Sequence, residues 1–250
     1  MIFTQVWQWL TDGSNWSGQD GIPHRLVEHL EYSLLALLIG ALIAIPAGLL
    51  IGHTGRGRFV VAVANAFRAL PTVGLLTFFY ILLAPHIHGT GTASYLIPSE
   101  IVLILLAIPS MVSNTYAGID NVEPGVRDAA EGMGMRGFQV LWRVEVPNAL
   151  PLIFSGVRSS FLQVIATATV TAYIGLGGLG RYLIDGLAQR EYPQMAGGAV
   201  LVATLALVAD LVLAVVQRYT VSRGVTGRYS KQKLAATAVG PEPVAVRSAG

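Results

Sequence analysis

Cysteine is absent from the 250 residues. That excludes disulfides, thiolate metal sites and cysteine nucleophiles, and leaves the redox compartment open. Lysine is nearly absent too: Lys231 and Lys233 are the only ones, and neither follows a glycine. A phosphate loop of the G-x-x-x-x-G-K-[ST] kind needs that lysine to reach the phosphates, so any ATP-derived energy must come from another chain. Charge of either sign is scarce, at 12% of residues, against about 25% in ordinary soluble domains. The formal net charge is +2, too small for the broad basic field of a nucleic-acid binder. Hydrophobic residues make up 53% of the chain, which points to lipid as the main solvent.

A bilayer core takes roughly 20 apolar residues of helix to cross. Five stretches qualify: about Tyr32 to Gly52, Val60 to Ala84, Tyr95 to Tyr116, Leu152 to Tyr173 and Met195 to Val216. The expected fold is an all-α polytopic membrane protein of about five transmembrane helices. Residues 1–30 carry Trp7, Trp9 and Trp16 and read as an extracytoplasmic interfacial segment, since indoles favour the headgroup region. Residues 31–220 form the transmembrane domain. The stretch from Ile174 to Pro193 reads as a loop with a partly inserted or interfacial helix. Residues 221–250 turn polar and then rich in Ala, Pro and Val, the composition of a disordered tail.

Lys and Arg beside spans collect on the cytoplasmic side. Arg56 and Arg58 follow the first span, Arg127, Arg136, Arg143 and Arg158 lie between the third and fourth, and Arg218, Arg223, Arg228, Lys231 and Lys233 follow the last. The other connections hold only Arg25, Arg181 and Arg190. The N-terminus is therefore expected outside and the C-terminus in the cytoplasm.

Within the first span, Ala36, Gly40, Ala44, Gly48 and Gly52 recur every fourth residue along one helix face. Such a stripe lets another helix approach closely, either within this chain or from a second subunit. Pro46, Pro71 and Pro109 lie inside spans, and each removes a backbone hydrogen bond. Arg68 and Asp210 are charges at similar depth, roughly 12 Å from the cytoplasmic ends of their spans at helical rise. A charge there seeks a partner, so the two are expected to pair directly or through water. Otherwise Arg68 snorkels to the surface and Asp210 meets a hydroxyl.

Between the third and fourth spans lies a long loop, about residues 117–151. Glu123-Pro124 reads as a helix start, with Pro tolerated at the first helical position. Gly132, Gly134 and Gly137 should end that helix and bend the chain. A second short helix is expected over about Phe138 to Val146, with Pro147 stopping it. The product is a bent two-helix knob with a bulk-free Ala129-Ala130 pair, where Asp128 and Arg127 offer charge contacts to another protein.

Here the sequence resembles the permeases of ATP-binding-cassette (ABC) importers. Their loop follows the pattern E-A-A, three residues, G, nine residues, I-x-L-P. This chain has Asp128-Ala129-Ala130, three residues, Gly134, nine residues, then Val144-Glu145-Val146-Pro147. Asp stands for Glu, and Val for Ile and Leu. Glu28-His29-Leu30, Pro46-x-Gly48, Arg68-x-x-Pro71-Thr72 and Tyr173-Ile174-Gly175-x-Gly177-Gly178-Leu179-Gly180 look like the osmoprotectant branch, which imports glycine betaine, choline, carnitine and related quaternary amines. The resemblance implies a permease subunit that is not itself an enzyme. Its loop would dock on a cytoplasmic ATPase present in two copies, which holds the ATP and Mg. A second permease, identical or homologous, and an extracytoplasmic solute-binding protein complete the set. Arg68, Pro71, Tyr173, Gly175, Gly177, Gly178 and Gly180 are the candidates for the path or gate.

Two decoys need disposal. Gly175 to Gly180 also fits G-x-G-x-x-G, but a dinucleotide fold would place that turn between a strand and a helix of a βαβ unit. Here it follows a membrane span, where a flexible loop near the outer mouth is expected. His24, His29, His53, His86 and His88 form no ligand set, and no catalytic site is found. The alternative function is an ion-coupled secondary transporter or channel, which would use inward-facing acids at mid-membrane; Asp210 is its one candidate.

Overall fold

The computed structural model describes residues 2–87 and 92–221. His88 and the segment from residue 222 onward, expected to be a disordered tail, lie outside the described residues. The described residues form helices and connecting turns without a strand. α1 spans Ile2–Thr11, α2 Ile22–Thr54, α3 Arg58–Ala66, α4 Thr72–Leu83 and α5 Ala93–Asp120. α6 spans Pro124–Gly132, α7 Gly137–Val140, α8 Val146–Thr171, α9 Gly180–Gln189 and α10 Tyr192–Thr220.

Four helical stretches are long and apolar enough to cross a membrane: Ile22–Thr54, Ala93–Asp120, Gly137–Ile174 and Tyr192–Thr220. A fifth crossing requires α3 and α4 taken together, and these are bent by 95° at their junction. The second expected span is thus broken rather than straight. Pro71 offers no N–H and forces Leu70 out of the helical region, to φ −73° and ψ 135°. Pro71 then serves as the N-cap residue of α4.

α2, α5 and α8 form the centre of the bundle. The small-residue stripe of α2 faces α5 within this chain, which decides between its two readings. A side chain on Gly48 would come within 2.6 Å of Thr115 Cβ, and one on Gly52 within 2.6 Å of Ile119 Cβ. Gly40 meets Ala107 and Met111, so α2 and α5 run parallel in constant register. α8 runs antiparallel against α5, with Gly118 on Ala149 and Gly156 on Asn114, and Ser160 Oγ donates to the Ala107 carbonyl at 2.8 Å. The core around these contacts is Leu103, Met111, Phe161, Val164 and Ile165.

α3 and the turn that follows it are pinned to α5 by polar contacts at three heights. Arg58 lies 3.3 Å from Asp120, Ser113 Oγ donates to Asn65 Oδ1 at 3.1 Å, and Arg68 donates to Ser110 Oγ. α10 lies on the far side of α8, packed on α8, α9 and α1. Trp9 of α1 stacks edge-on against Tyr182 of α9, with ring centroids 5.1 Å apart, and covers Gly197 of α10. Ile174–Pro193 contains the ten-residue α9, roughly 15 Å at helical rise and too short to cross.

The expected end of the second loop helix at Pro147 is not observed. Residues Leu141–Glu145 form a π-turn that runs straight into α8, and Val146 N–H bonds the Leu141 carbonyl five residues back. Pro in a regular helix interior clashes with the carbonyl four residues earlier. The wider turn ahead of it and its place in the first turn of α8 relieve that clash. The fourth span therefore starts well before Leu152, and Arg158 sits deep inside it rather than near its start.

Candidate functional site: a knob riveted to the end of the bundle

The loop after α5 folds back under the bundle as α6, α7 and the π-turn. Glu123 is the N-cap residue of α6 and Pro124 opens it, as the missing proline N–H favours. α6 ends in a left-handed residue: Gly134 has φ +84°. Met135 N–H bonds the Ala130 carbonyl at 3.2 Å and Gly134 N–H bonds the Glu131 carbonyl at 2.8 Å, a Schellman-type stop. No neighbouring atom lies within 4 Å of where a Gly134 side chain would begin. Backbone conformation, not space, is what demands glycine there.

Asp128 and Ala129 are exposed, while Ala130 is buried in α6, which packs on α7 and the π-turn. The outer face also carries Met133 and Phe138, each 73% exposed, and Trp142, whose ring meets Phe138 edge-on at 6.1 Å. Arg136 and Arg143 are exposed around them. Apolar groups flanked by charge on a projecting element are the make-up of a protein contact surface. Val144 and Val146 are half-buried, and Pro147 lies beside them.

Arg127 does not join that outer face. Its Nε lies 2.7 Å from Glu145 Oε1, and its Nη2 donates to the Ile119 carbonyl at 2.6 Å. His53, at the end of α2, lies with Nδ1 2.7 Å from Glu145 Oε2. The Glu145 side chain is 2% exposed. Sequence reasoning treated Glu145 as the variable position in V-x-V-P and placed Arg127 toward a partner. The one available signal was an acid held between apolar residues beside a membrane end, which calls for a buried cation.

At the opposite end of the bundle, the glycine-rich segment wraps the start of α2. Gly178 N–H donates to Glu28 Oε2 at 2.8 Å, and the same oxygen takes Arg25 Nη1 at 2.9 Å. Gly175 and Gly178 have φ +104° and +89°. A side chain on Gly177 would collide with the Glu28 carboxylate, and one on Gly180 with the Thr169 carbonyl. Buried His29 meets the Ile165 carbonyl through Nε2 at 3.1 Å. The loop is thus packed rather than loose. Tyr173 beside it is 63% exposed, and Gly175 lies on Tyr95, which stacks on Tyr80 at 5.8 Å. Burial pushes the Tyr182 phenol up to about 12, and its hydroxyl donates to the Asp20 carbonyl at 2.6 Å.

The expected pairing of Arg68 with Asp210 is not formed. Asp210 of α10 takes both its contacts from Arg158 of α8, through Nε and Nη2, while Arg68 lies at the α3–α4 break on Ser110. Counted from Val146 and Thr220, Arg158 and Asp210 lie roughly 18 and 15 Å along their helices. Arg68 stands at a comparable height, but α5 and α8 separate it laterally from α10. Among the described residues no group of three His, Cys, Asp or Glu side chains could hold a metal ion.

Residues 36–223 match the family described as the binding-protein-dependent transport system inner membrane component. This chain belongs to that family. The permease is 35% identical over 205 residues to the glycine betaine/carnitine/choline transport system permease protein OpuCB of Bacillus subtilis (strain 168), covering 82% of this chain and 90% of that one. It is 31% identical over 199 residues to the osmoprotectant import permease protein OsmW of Salmonella typhimurium (strain LT2), covering 79% and 91%. Among solved structures, the inward-facing MetNI methionine ABC transporter (CY5 native crystal form) superposes with TM-score 0.68 over 81% of the permease and 96% of its own chain. At 23% identity that is a likeness of fold. The all-α polytopic reading thus holds, as does the assignment to a transport permease rather than to an ion-coupled carrier.

Proposed function

We propose that this permease carries a small solute across the cell's inner membrane for an ABC importer, with α6 and α7 as the surface that a separate ATPase grips. The observation that carries this reading is the knob itself. Its outer face is exposed at Asp128, Ala129, Met133 and Phe138, while its inner side is fixed to three helices of the bundle. Ala129 brings no bulk, so a groove on another protein can close over the helix. Gly134 sets the bend that leads α6 into α7, and Val144, Val146 and Pro147 carry the chain on into α8.

In this reading ATP and Mg stay on the ATPase, which is present in two copies. A second permease, identical or homologous, completes the path. A binding protein delivers solute at the end where Glu28 meets Gly178. Tyr173, Gly175, Gly177, Gly178 and Gly180 at that end, with Arg68 and Pro71 at the α3–α4 break, are the candidates for path or gate. The N-terminus then faces outward and the knob faces the cytoplasm. Similarity to the choline, carnitine and glycine betaine permeases supports a quaternary-amine osmoprotectant as cargo. Asp210, the acid that the sequence offers to the rival ion-coupled mechanism, is already neutralised by Arg158.

The test is reconstitution of the permease with its ATPase and binding protein in proteoliposomes. Uptake should require ATP and persist without an ion gradient. Asp128→Lys should lower uptake at least ten-fold, as expected when a like charge is set into a closed interface, while the amount of inserted permease stays unchanged. Wild-type uptake by that variant would remove the docking assignment.

A further inference from the structure

We infer that Glu145 is a positioning residue that makes the knob and the start of α8 move as one body, with α2 and α5 tied in through His53 and Arg127. The inference rests on the docking reading above and names the part that carries the motion inward. α6 is a nine-residue helix set off from the bundle by its own turns. Apolar burial of Ala130 alone would let it tilt. The Glu145 carboxylate removes that freedom because both of its oxygens are engaged. One faces Arg127 of α6 at 2.7 Å and the other faces His53 of α2 at 2.7 Å. Arg127 reaches on to the Ile119 carbonyl at the end of α5. The His53 ring lies beside Gly137, where a side chain would approach Nε2 to 3.4 Å, so the same ring borders the first residue of α7.

Glu145 closes the π-turn at Leu141–Glu145, the segment that joins the knob to α8. A π-turn inside a helix is a local departure from regular winding and is frequent at functional positions. Left unsupported it is the natural place for the chain to flex. Placing the buried carboxylate at its last residue locks the weak point. A buried ion pair is poor evidence of added stability, since apolar replacements are often as stable. What it supplies is direction: the rigid guanidinium plane of Arg127 sits with Nε 2.7 Å from Glu145 Oε1 and with Nη2 on the Ile119 carbonyl, so a push on α6 arrives at α8 rather than being lost in the turn.

The experiment uses the reconstituted transporter and compares Glu145→Gln, Arg127→Met and the double variant. Three quantities are measured: inserted permease, ATPase bound per permease, and solute moved per ATP hydrolysed. Each single variant should lower solute per ATP by about ten-fold, a typical size for loss of one coupling contact. Bound ATPase should stay at wild-type stoichiometry, since the outer face is untouched. The double variant removes both members of the Arg127–Glu145 pair, so the inserted amount should return to the wild-type level while solute per ATP stays low. Recovery of solute per ATP in the double variant would show the pair to be structural only and overturn the inference.

A second readout is independent of transport and of insertion yield. The chain has no cysteine, so spin labels can be placed at Glu131→Cys on α6 and Thr54→Cys at the end of α2. Their separation should be a single narrow distance with Glu145 present and should broaden in Glu145→Gln. A narrow distance in both would also overturn the inference. Failure of Asp128→Lys to affect ATPase binding would instead strike the docking reading, so the two failures are distinguishable.

Discussion

Gly134 shows what one residue contributes to the knob. Its φ of +84° lies where a side chain crowds the following carbonyl, at about 1–2 kcal/mol for most residues and less for Asn. Space around it is open, so size alone should not matter. Replacement by Asn should therefore retain most transport, Ala less and Val least, and ATP-driven uptake in proteoliposomes gives the order directly. Equal loss for Asn and Val would mean that contact with the ATPase, not backbone conformation, selects glycine there. The spacing of the loop made Gly134 legible in the sequence, since a glycine after a short amphipathic helix is a common stop. Arg127 was harder. It is adjacent to Asp128 in sequence yet points to the other side of the helix, and the acid that receives it lies eighteen positions further along the chain.

Among the elements, α2 and α5 depend on each other most. Lipid provides no hydrophobic drive for helix pairing, so close backbone approach and dispersion must hold them together. Gly48 is the tightest test, because a side chain there would meet Thr115 Cβ at 2.6 Å and the Val112 carbonyl at 3.0 Å. Gly48→Val should destabilise the permease by about 3 kcal/mol, the upper range for an overpacked contact. The measurement is thermal unfolding in detergent, with a fall of several degrees expected and an unchanged midpoint counting against the packing account. The stripe was legible because its four-residue period maps onto one helix face, whereas its partner was not, since period says nothing of what lies opposite. The same gap explains Asp210. Depth along a helix follows from counting residues, but lateral order depends on how α3, α5, α8 and α10 pack around one another. Prolines acted unequally. Pro71 divides its span into two helices at 95°, while Pro147 and Pro151 lie within one continuous run.

At the scale of the whole molecule, one end of the bundle differs from the other in charge. Arg56, Arg58, Arg136, Arg143 and Arg218 lie at the end that carries α6, while Arg25, Arg181 and Arg190 lie at the opposite end beside α1 and α9. The excess of cations at the α6 end is the pattern that retains loops in the cytoplasm. Every step of the proposed mechanism depends on it, because an ATPase made in the cytoplasm can reach only that side. The exposed apolar faces of α2 and α10, among them Leu38, Leu42, Leu207 and Leu211, fix the body of the bundle in lipid and leave only two ends to choose between. Single cysteines at Met133, 73% exposed, and Trp16, 50% exposed, decide the matter in this cysteine-free chain. An impermeant maleimide added to right-side-out vesicles should label Trp16→Cys and spare Met133→Cys, and inside-out vesicles should reverse the pattern. Labelling of Met133→Cys from the outside would place the knob beyond the reach of any ATPase. It would also leave the buried Arg127–Glu145–His53 cluster without a force to transmit.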